Sequence, residues 1–273
     1  MSNNNAAPRV KKNKQEAIKK KDDGSSNNKL TFNMTDTNIW SAFLWIDSGL
    51  PTGSFAHSSG MEVAQQFGFL KDDNHVEAYI RAATHSGMQL AAPFVVAGSR
   101  NAAGASADDD DDFTALWQDL DQQMHALLVS NSPACQASIE QGHGLLRVAL
   151  AWTKTDKPDI HAKLRKLQEL VPENHGHLAP IFGIVTTLVG GIDNAECACH
   201  MLAYTMTRDM VSAAVRLNAI GPLASVSILS RVQQSVSTSN IDTSSLESAA
   251  SSAPLLDVLH PCHELLAVRL FRT

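Results

Sequence analysis

Beyond residue 35, apolar side chains recur at three- and four-residue spacing through most of the chain, the repeat of helices with one buried face. Asp36 or Thr37 can cap a first helix carrying Ile39, Trp40, Phe43, Leu44 and Ile46. A break follows at Asp47-Ser-Gly-Leu-Pro-Thr-Gly53. A second helix is predicted from about Ser59 to Phe67, stopping at Gly68. Asp72, Asp73 and Asn74 supply caps for a third, with Val76, Tyr79, Ile80 and Ala83 on one face. The pattern resumes with Phe113, Leu116, Trp117, Leu120 and Leu127 and then runs from Pro133 to Trp152. It returns after Pro158-Asp159 with Ile160, Leu164, Leu167 and Leu170. Pro180 suits the first turn of another helix, where its missing N–H costs little. Residues 195–220 carry the strongest helical pattern. No segment sustains period-two alternation with β-branched enrichment, so an all-α, single-domain helical bundle is expected over residues 35–273.

Three stretches break the periodicity. Residues 1–34, rich in Asn, Lys and Ser, read as a disordered basic leader. Residues 101–112, ending in five aspartates, and the Ser/Thr-rich residues 235–254 read as flexible inserts. The leader explains the charge balance. The chain's formal net charge is -6, but residues 1–29 hold eight basic and three acidic residues, so the remainder carries −11. A nucleic-acid role would therefore rest on the leader alone, and none is expected. The leader is neither Arg-rich nor acid-poor, unlike an organelle transit peptide.

Hydrophobic residues make up 44% of the chain and charged ones 18%, enough for a sizeable core with apolar surface left for partners. The four cysteines (Cys135, Cys197, Cys199, Cys262) are too few and too scattered for a disulfide framework. No secretory signal precedes them. Reduced thiols and a cytoplasmic location are the simplest expectation. No apolar run reaches the roughly 20 residues needed to span a bilayer, so no membrane association is expected.

Candidate chemistry is sparse. The chain has neither a Gly-x-x-x-x-Gly-Lys-Ser/Thr loop nor a Gly-x-Gly-x-x-Gly after a strand, so nucleotide hydrolysis by this chain is not expected. Gly-x-Ser-x-Gly is absent too. The segment Leu50–Glu62 packs Pro51, Gly53 and Gly60 around Phe55 and His57 between two helices. Its glycines permit tight backbone turns, and Ser58 or Ser59 can cap the next helix, with Ser59 and Glu62 at capping-box spacing. A hydrolase reading would pair Ser54 or Ser58 with His57 but lacks a carboxylate to orient the histidine. A structural turn that shapes a docking surface is the better account.

His175-Gly-His177 could ligate a borderline divalent ion such as nickel. The plainer reading is a helix-entry turn whose histidines bond to backbone. Cys197 and Cys199 are metal-like by type, but inside a helix they point about 200° apart and read as small buried hydrophobes. His260-Pro-Cys262-His263 is a further candidate of the same kind. On the 195–220 helix, Arg208, Ser212 and Arg216 align at i, i+4 and i+8 beside an apolar stripe of Met206, Met210, Ala213, Leu217 and Ile220. Two arginines there need acceptors, from within the fold or from another chain. Gly221-Pro222 is placed to stop the helix. The apolar end Leu265–Thr273, with Arg269, Leu270 and Phe271, must dock in a groove of its own chain or of a partner.

Together these segments resemble the UreF family of urease accessory proteins. The stretches that carry the resemblance are Leu50–Glu62, His175–Gly183, Arg208–Pro222 and His263–Phe271, in the family's order. The leader and the two inserts depart from the family's compact pattern. The resemblance implies an all-helical homodimer without a catalytic step or a cofactor of its own. It implies a scaffold that recruits the nickel-handling GTPase UreG to UreD (also called UreH) and apo-urease, with modulation of GTP hydrolysis as a further role. It also implies that the C-terminal segment contributes to contact with UreD. A small metal-dependent or Ser/His hydrolase using His57, His175 and His177 is the alternative.

Overall fold

The computed structural model describes Met1 and residues 37–105, 110–237 and 243–273; everything described beyond Met1 belongs to one unit, Thr35–Thr273. Residues 2–34 of the expected leader lie outside the described residues, as do the cap candidate Asp36 and 106–109 and 238–242 of the two expected inserts. Among the described residues there are ten α-helices and no strand, an all-α single-domain fold. They are α1 (Thr37–Trp45), α2 (Met61–Gln66), α3 (Asp73–Gly104), α4 (Asp110–Leu128), α5 (Ser132–Asp156), α6 (Pro158–Leu170), α7 (Leu178–Leu188), α8 (Ala195–Arg216), α9 (Pro222–Ser237) and α10 (Pro254–Leu259).

Three helix starts follow short polar side chains. Asp72 accepts the His75 N–H at the head of α3, Asn131 that of Ala134 at α5, and Asn194 those of Glu196 and Cys197 at α8. Three boundaries differ from expectation. α3 is longer than its first apolar face suggested; it passes through Pro93 and ends at Gly104, inside the expected acidic insert. α4 begins at Asp110, and Asp111 and Asp112 in its first turn suit the positive end of a helix. Gly221-Pro222 does not stop α8: Asn218, at φ 57, does so in the left-handed conformation, with Ala219 N–H bonded to Ala214 O at 2.9 Å. Pro222 instead opens α9, whose buried face is Ile228, Val232 and Val236.

The N-cap residue of α7, His177, makes no side-chain cap of its own, and the helix is buried from Ala179 to Thr187. Side chains such as Ile181, Ile184 and Val185 each contribute roughly 1.5–3 kcal/mol on burial, so packing rather than propensity holds it. It lies against α3 almost backbone to backbone. A Cβ on Gly98 would meet the Pro180 main chain, and one on Gly183 would meet that of Val95. Gly183 and Pro180 therefore serve this crossing. In α1 Trp45 is buried, stacked on Trp152 with ring centroids 4.8 Å apart; Trp40, Phe43 and Leu44 are exposed. No described helix is long and apolar enough to cross a membrane.

Candidate functional site

The turn between α1 and α2 is built from unusual backbone conformations. Gly53 (φ 87) and Gly60 (φ 77) take the left-handed region, and so does the non-glycine Ser59 (φ 51). Tyr79 holds the strained end by donating its hydroxyl to Ser59 O at 2.8 Å. The expected Ser59–Glu62 capping box is not formed. Gly60 occupies the N-cap of α2, and the Glu62 carboxylate turns away from its own helix.

That carboxylate joins the turn to the chain's last described segment. Glu62 is 2% exposed and accepts the main-chain N–H groups of Leu270 (2.6 Å) and Phe271 (3.1 Å). It also pairs with buried His263 at 3.2 Å. Beside it, His57 Nδ1 lies 2.6 Å from Thr273 Oγ1, Ser58 N–H donates to the Thr273 main-chain oxygen, and Arg272 N–H donates to Ala56 O. Arg272 reaches Glu140 of α5 at 2.9 Å. The apolar end thus docks in a groove of its own chain. Burial pushes the His57 imidazole below its usual pKa, partly opposed by the Glu140 carboxylate and reinforced by Arg272 and His263. The other ring nitrogen, Nε2, is 3.6 Å from Glu140, beyond hydrogen-bond range. The Ser/His pairing of the hydrolase reading is not formed: His57 turns to Thr273, Ser58 is fully buried, and Ser54 bonds Asp209.

α8 contributes its two arginines differently. Arg208 is half-buried, bonding Ile46 O at the end of α1 and the Asp209 carboxylate. Burial raises the Asp209 pKa, and Arg208 opposes the rise. Arg216 is exposed; it donates to Phe55 O and covers the Phe271 ring at 4.2 Å. Ser212 is exposed and Gly221 meets nothing within 4 Å of where a Cβ would lie. Arg269 bonds the main-chain oxygens of Glu264 and Leu266. With the segment anchored through Leu266, Phe271 and Thr273, the side chains beside and between them point outward: Leu265, Val268 and Leu270 are 79%, 77% and 54% exposed. Phe55 is 66% exposed and Pro51 is also exposed.

His175 and His177 belong to a second locus. Buried Asp121 of α4 accepts the N–H groups of Gly176 and His177 and pairs with His175 Nδ1 at 2.8 Å. His177 is fully buried, with Nδ1 3.1 Å from Ser138 Oγ; burial takes its pKa down to about 4, opposed by Asp121 and reinforced by His125, His175 and His143. Among the described residues, Cys197 and Cys199 join no metal-capable cluster. Burial raises both thiols, Cys199 to about 12, and Cys199 contacts Ala92 O instead. Sequence reasoning passed over Asp121, Gly142 and Gly144. A Cβ on Gly142 would strike the Gly176 main chain, and one on Gly144 that of Thr52, so α5 seats both loci through its glycines. The signal was present: two glycines at i and i+2 inside a helical pattern weaken it unless close approach requires them.

A sequence model of the family described as UreF matches residues 70–233. Over 248 residues the chain is 32% identical to urease accessory protein F of Oryza sativa subsp. indica, covering 88% of this chain and 87% of that one. It is 33% identical over 235 residues to urease accessory protein F of Arabidopsis thaliana, covering 85% and 91%. It is 27% identical over 237 residues to urease accessory protein UreF of Azorhizobium caulinodans, covering 85% and 94%.

Proposed function

Because this chain belongs to the UreF family of urease accessory proteins, we propose that it acts in urease maturation as a non-catalytic scaffold. In this reading it is a cytoplasmic homodimer that brings the GTPase UreG to UreD/UreH and apo-urease, so that nickel, the cargo, reaches the urease site. Modulation of UreG's GTP hydrolysis would follow from holding that partner in one geometry. No covalent step, membrane or nucleic acid enters.

The observation that supports this most is the way the C-terminal segment is fixed. Glu62 holds the successive amides of Leu270 and Phe271, Arg216 covers the Phe271 ring and His57 meets the Thr273 hydroxyl, while the side chains of Leu265, Val268 and Leu270 stand out toward solvent on an ordered backbone. A pre-ordered apolar strip loses little conformational entropy on docking, which suits a partner surface. The test is co-expression with UreD and UreG. Changing Leu265, Val268 and Leu270 together to Ser should leave melting unchanged and abolish co-purification with UreD. Undiminished complex formation would remove this surface from the proposal. A His57→Ala chain that loses an intrinsic turnover would favour the hydrolase alternative.

A further inference from the structure

The loop that carries His177 faces two residues of other helices with metal-ligating chemistry. His125 Nδ1 of α4 lies 3.2 Å from His177 Nε2, and Cys135 Sγ of α5 lies 3.8 Å from that same His125 nitrogen. All three potential ligand atoms fall within 4.8 Å of one another. A tetrahedral ion with metal–nitrogen bonds near 2.0 Å and a metal–sulfur bond near 2.3 Å separates its nitrogens by about 3.3 Å and nitrogen from sulfur by about 3.5 Å. The His125–His177 and His125–Cys135 spacings are within a few tenths of an ångström of those figures, and Cys135 Sγ lies within 4.8 Å of the ligand nitrogen of His177.

We propose that His125, Cys135 and His177 form a binding site for one divalent transition-metal ion of borderline softness, the class that includes zinc, cobalt and nickel. The ligand set of two imidazoles and a thiolate selects that class over calcium or magnesium, which take oxygen. The surrounding bonds orient the ligands. Ser138 Oγ, which already accepts the Leu178 N–H, is placed to accept Nδ1–H of His177 as well; this turns the Nε2 lone pair toward His125. Asp121 fixes the His177 main chain and holds His175, whose ring stacks on His125 at 4.5 Å. Burial keeps His177 neutral at pH 7, the state a ligand needs. The Cys135 thiol is raised by burial and by Asp121, so binding must displace its proton to solvent. Cys135 and His177 are buried whereas His125 is half-exposed, which gives the ion a way in. Three protein ligands leave the fourth position for water or an exchanging group, the arrangement of sites that do not close permanently.

The site stands independently of the scaffold reading, because its test uses the purified full-length chain, reduced and tag-free. Titration with Co2+ should give a near-ultraviolet thiolate-to-cobalt charge-transfer band that saturates at one equivalent per chain and is bleached by Zn2+. Cys135→Ser should abolish the band with helical content unchanged. His125→Ala, at a half-exposed position that should tolerate the change, should weaken binding by about tenfold or more. No band in the wild-type chain would overturn the site. A band that survives Cys135→Ser, and so belongs to Cys197, Cys199 or Cys262, would also overturn it, as would unchanged affinity in His125→Ala.

Discussion

The carboxylate of Glu62 and the main-chain N–H of Phe271 meet at 3.1 Å across 209 residues of sequence, in a place where neither reaches water. One acidic side chain thereby supplies acceptors to two successive amides and to His263. Charge-assisted bonds of this kind contribute about 1.5–3 kcal/mol each, and losing the acceptor strands buried donors.

Glu62→Gln separates shape from charge. The amide keeps one oxygen but turns an N–H2 toward an N–H, so one of the two main-chain donors loses its partner. The expected result is a loss of about 2–3 kcal/mol in urea unfolding, together with faster proteolysis after residue 263. Unchanged stability with a protected segment would show that apolar contacts of Leu266 and Phe271 suffice to seat it.

Gly142 and Gly144 give a second test, in which two effects of opposite sign compete. Alanine in a helix interior gains about 1 kcal/mol over glycine, whereas a methyl forced into a packed site costs about 1–3 kcal/mol. Here the obstacle is main chain, of Gly176 and Thr52, and cannot swing aside. Either substitution should therefore sit at the costly end of that range and destabilise the chain by up to about 2 kcal/mol net. Gly104→Ala, with nothing within 4 Å, should be neutral or slightly stabilising in the same thermal melt. Equal responses at all three positions would contradict the packing argument.

Stability should fall on acidification through His260. Burial, reinforced by His263 and His57, lowers its pKa from 6.5 to about 4, and its Nε2 lies out of solvent without a hydrogen-bond partner. Between those two values the unfolded chain binds a proton that the folded chain refuses, so stability drops as pH goes from about 6.5 to 4 and the loss then levels off. The difference of about 2.5 pKa units sets an upper limit of about 3 kcal/mol. His260→Gln should flatten that part of the stability-versus-pH curve; an unaltered slope would assign the acid sensitivity to other groups.

Much of the helical architecture is legible in the spacing of apolar residues because most helices bury one face. α9 is not, since Leu223 and Val226 are exposed and serines separate Ile228, Val232 and Val236. Gly221-Pro222 adds to the ambiguity, because proline both follows helices and begins them. The site was legible as four segments but not as two places. Spacing brings Ser59 and Glu62 together as a cap, and nothing local announces that Glu62 instead serves Leu270 and Phe271. For the same reason His125 and Cys135 meet His177 only through the tertiary packing of α4 and α5.

Arg208 and Arg216, alike in sequence spacing, should respond differently to removal. Arg208 is the countercharge of Asp209, whose carboxyl is raised by burial even with the guanidinium in place. Arg208→Ala leaves that group buried and uncompensated and also strips Ile46 O of its donor, so it should cost about 3 kcal/mol or prevent folding. Arg208→Lys keeps the charge but not the forked geometry, and should recover part of the loss. Arg216 works at the surface, where a cation over an aromatic ring is worth about 0.5–1 kcal/mol. Arg216→Ala should thus melt within a few degrees of wild type while loosening Phe271 and the strip beside it. If the scaffold reading holds, its defect will appear in co-purification with UreD rather than in stability. Comparable melting for the two alanine variants would mean that burial of Asp209, not exposure of Arg216, has been misjudged.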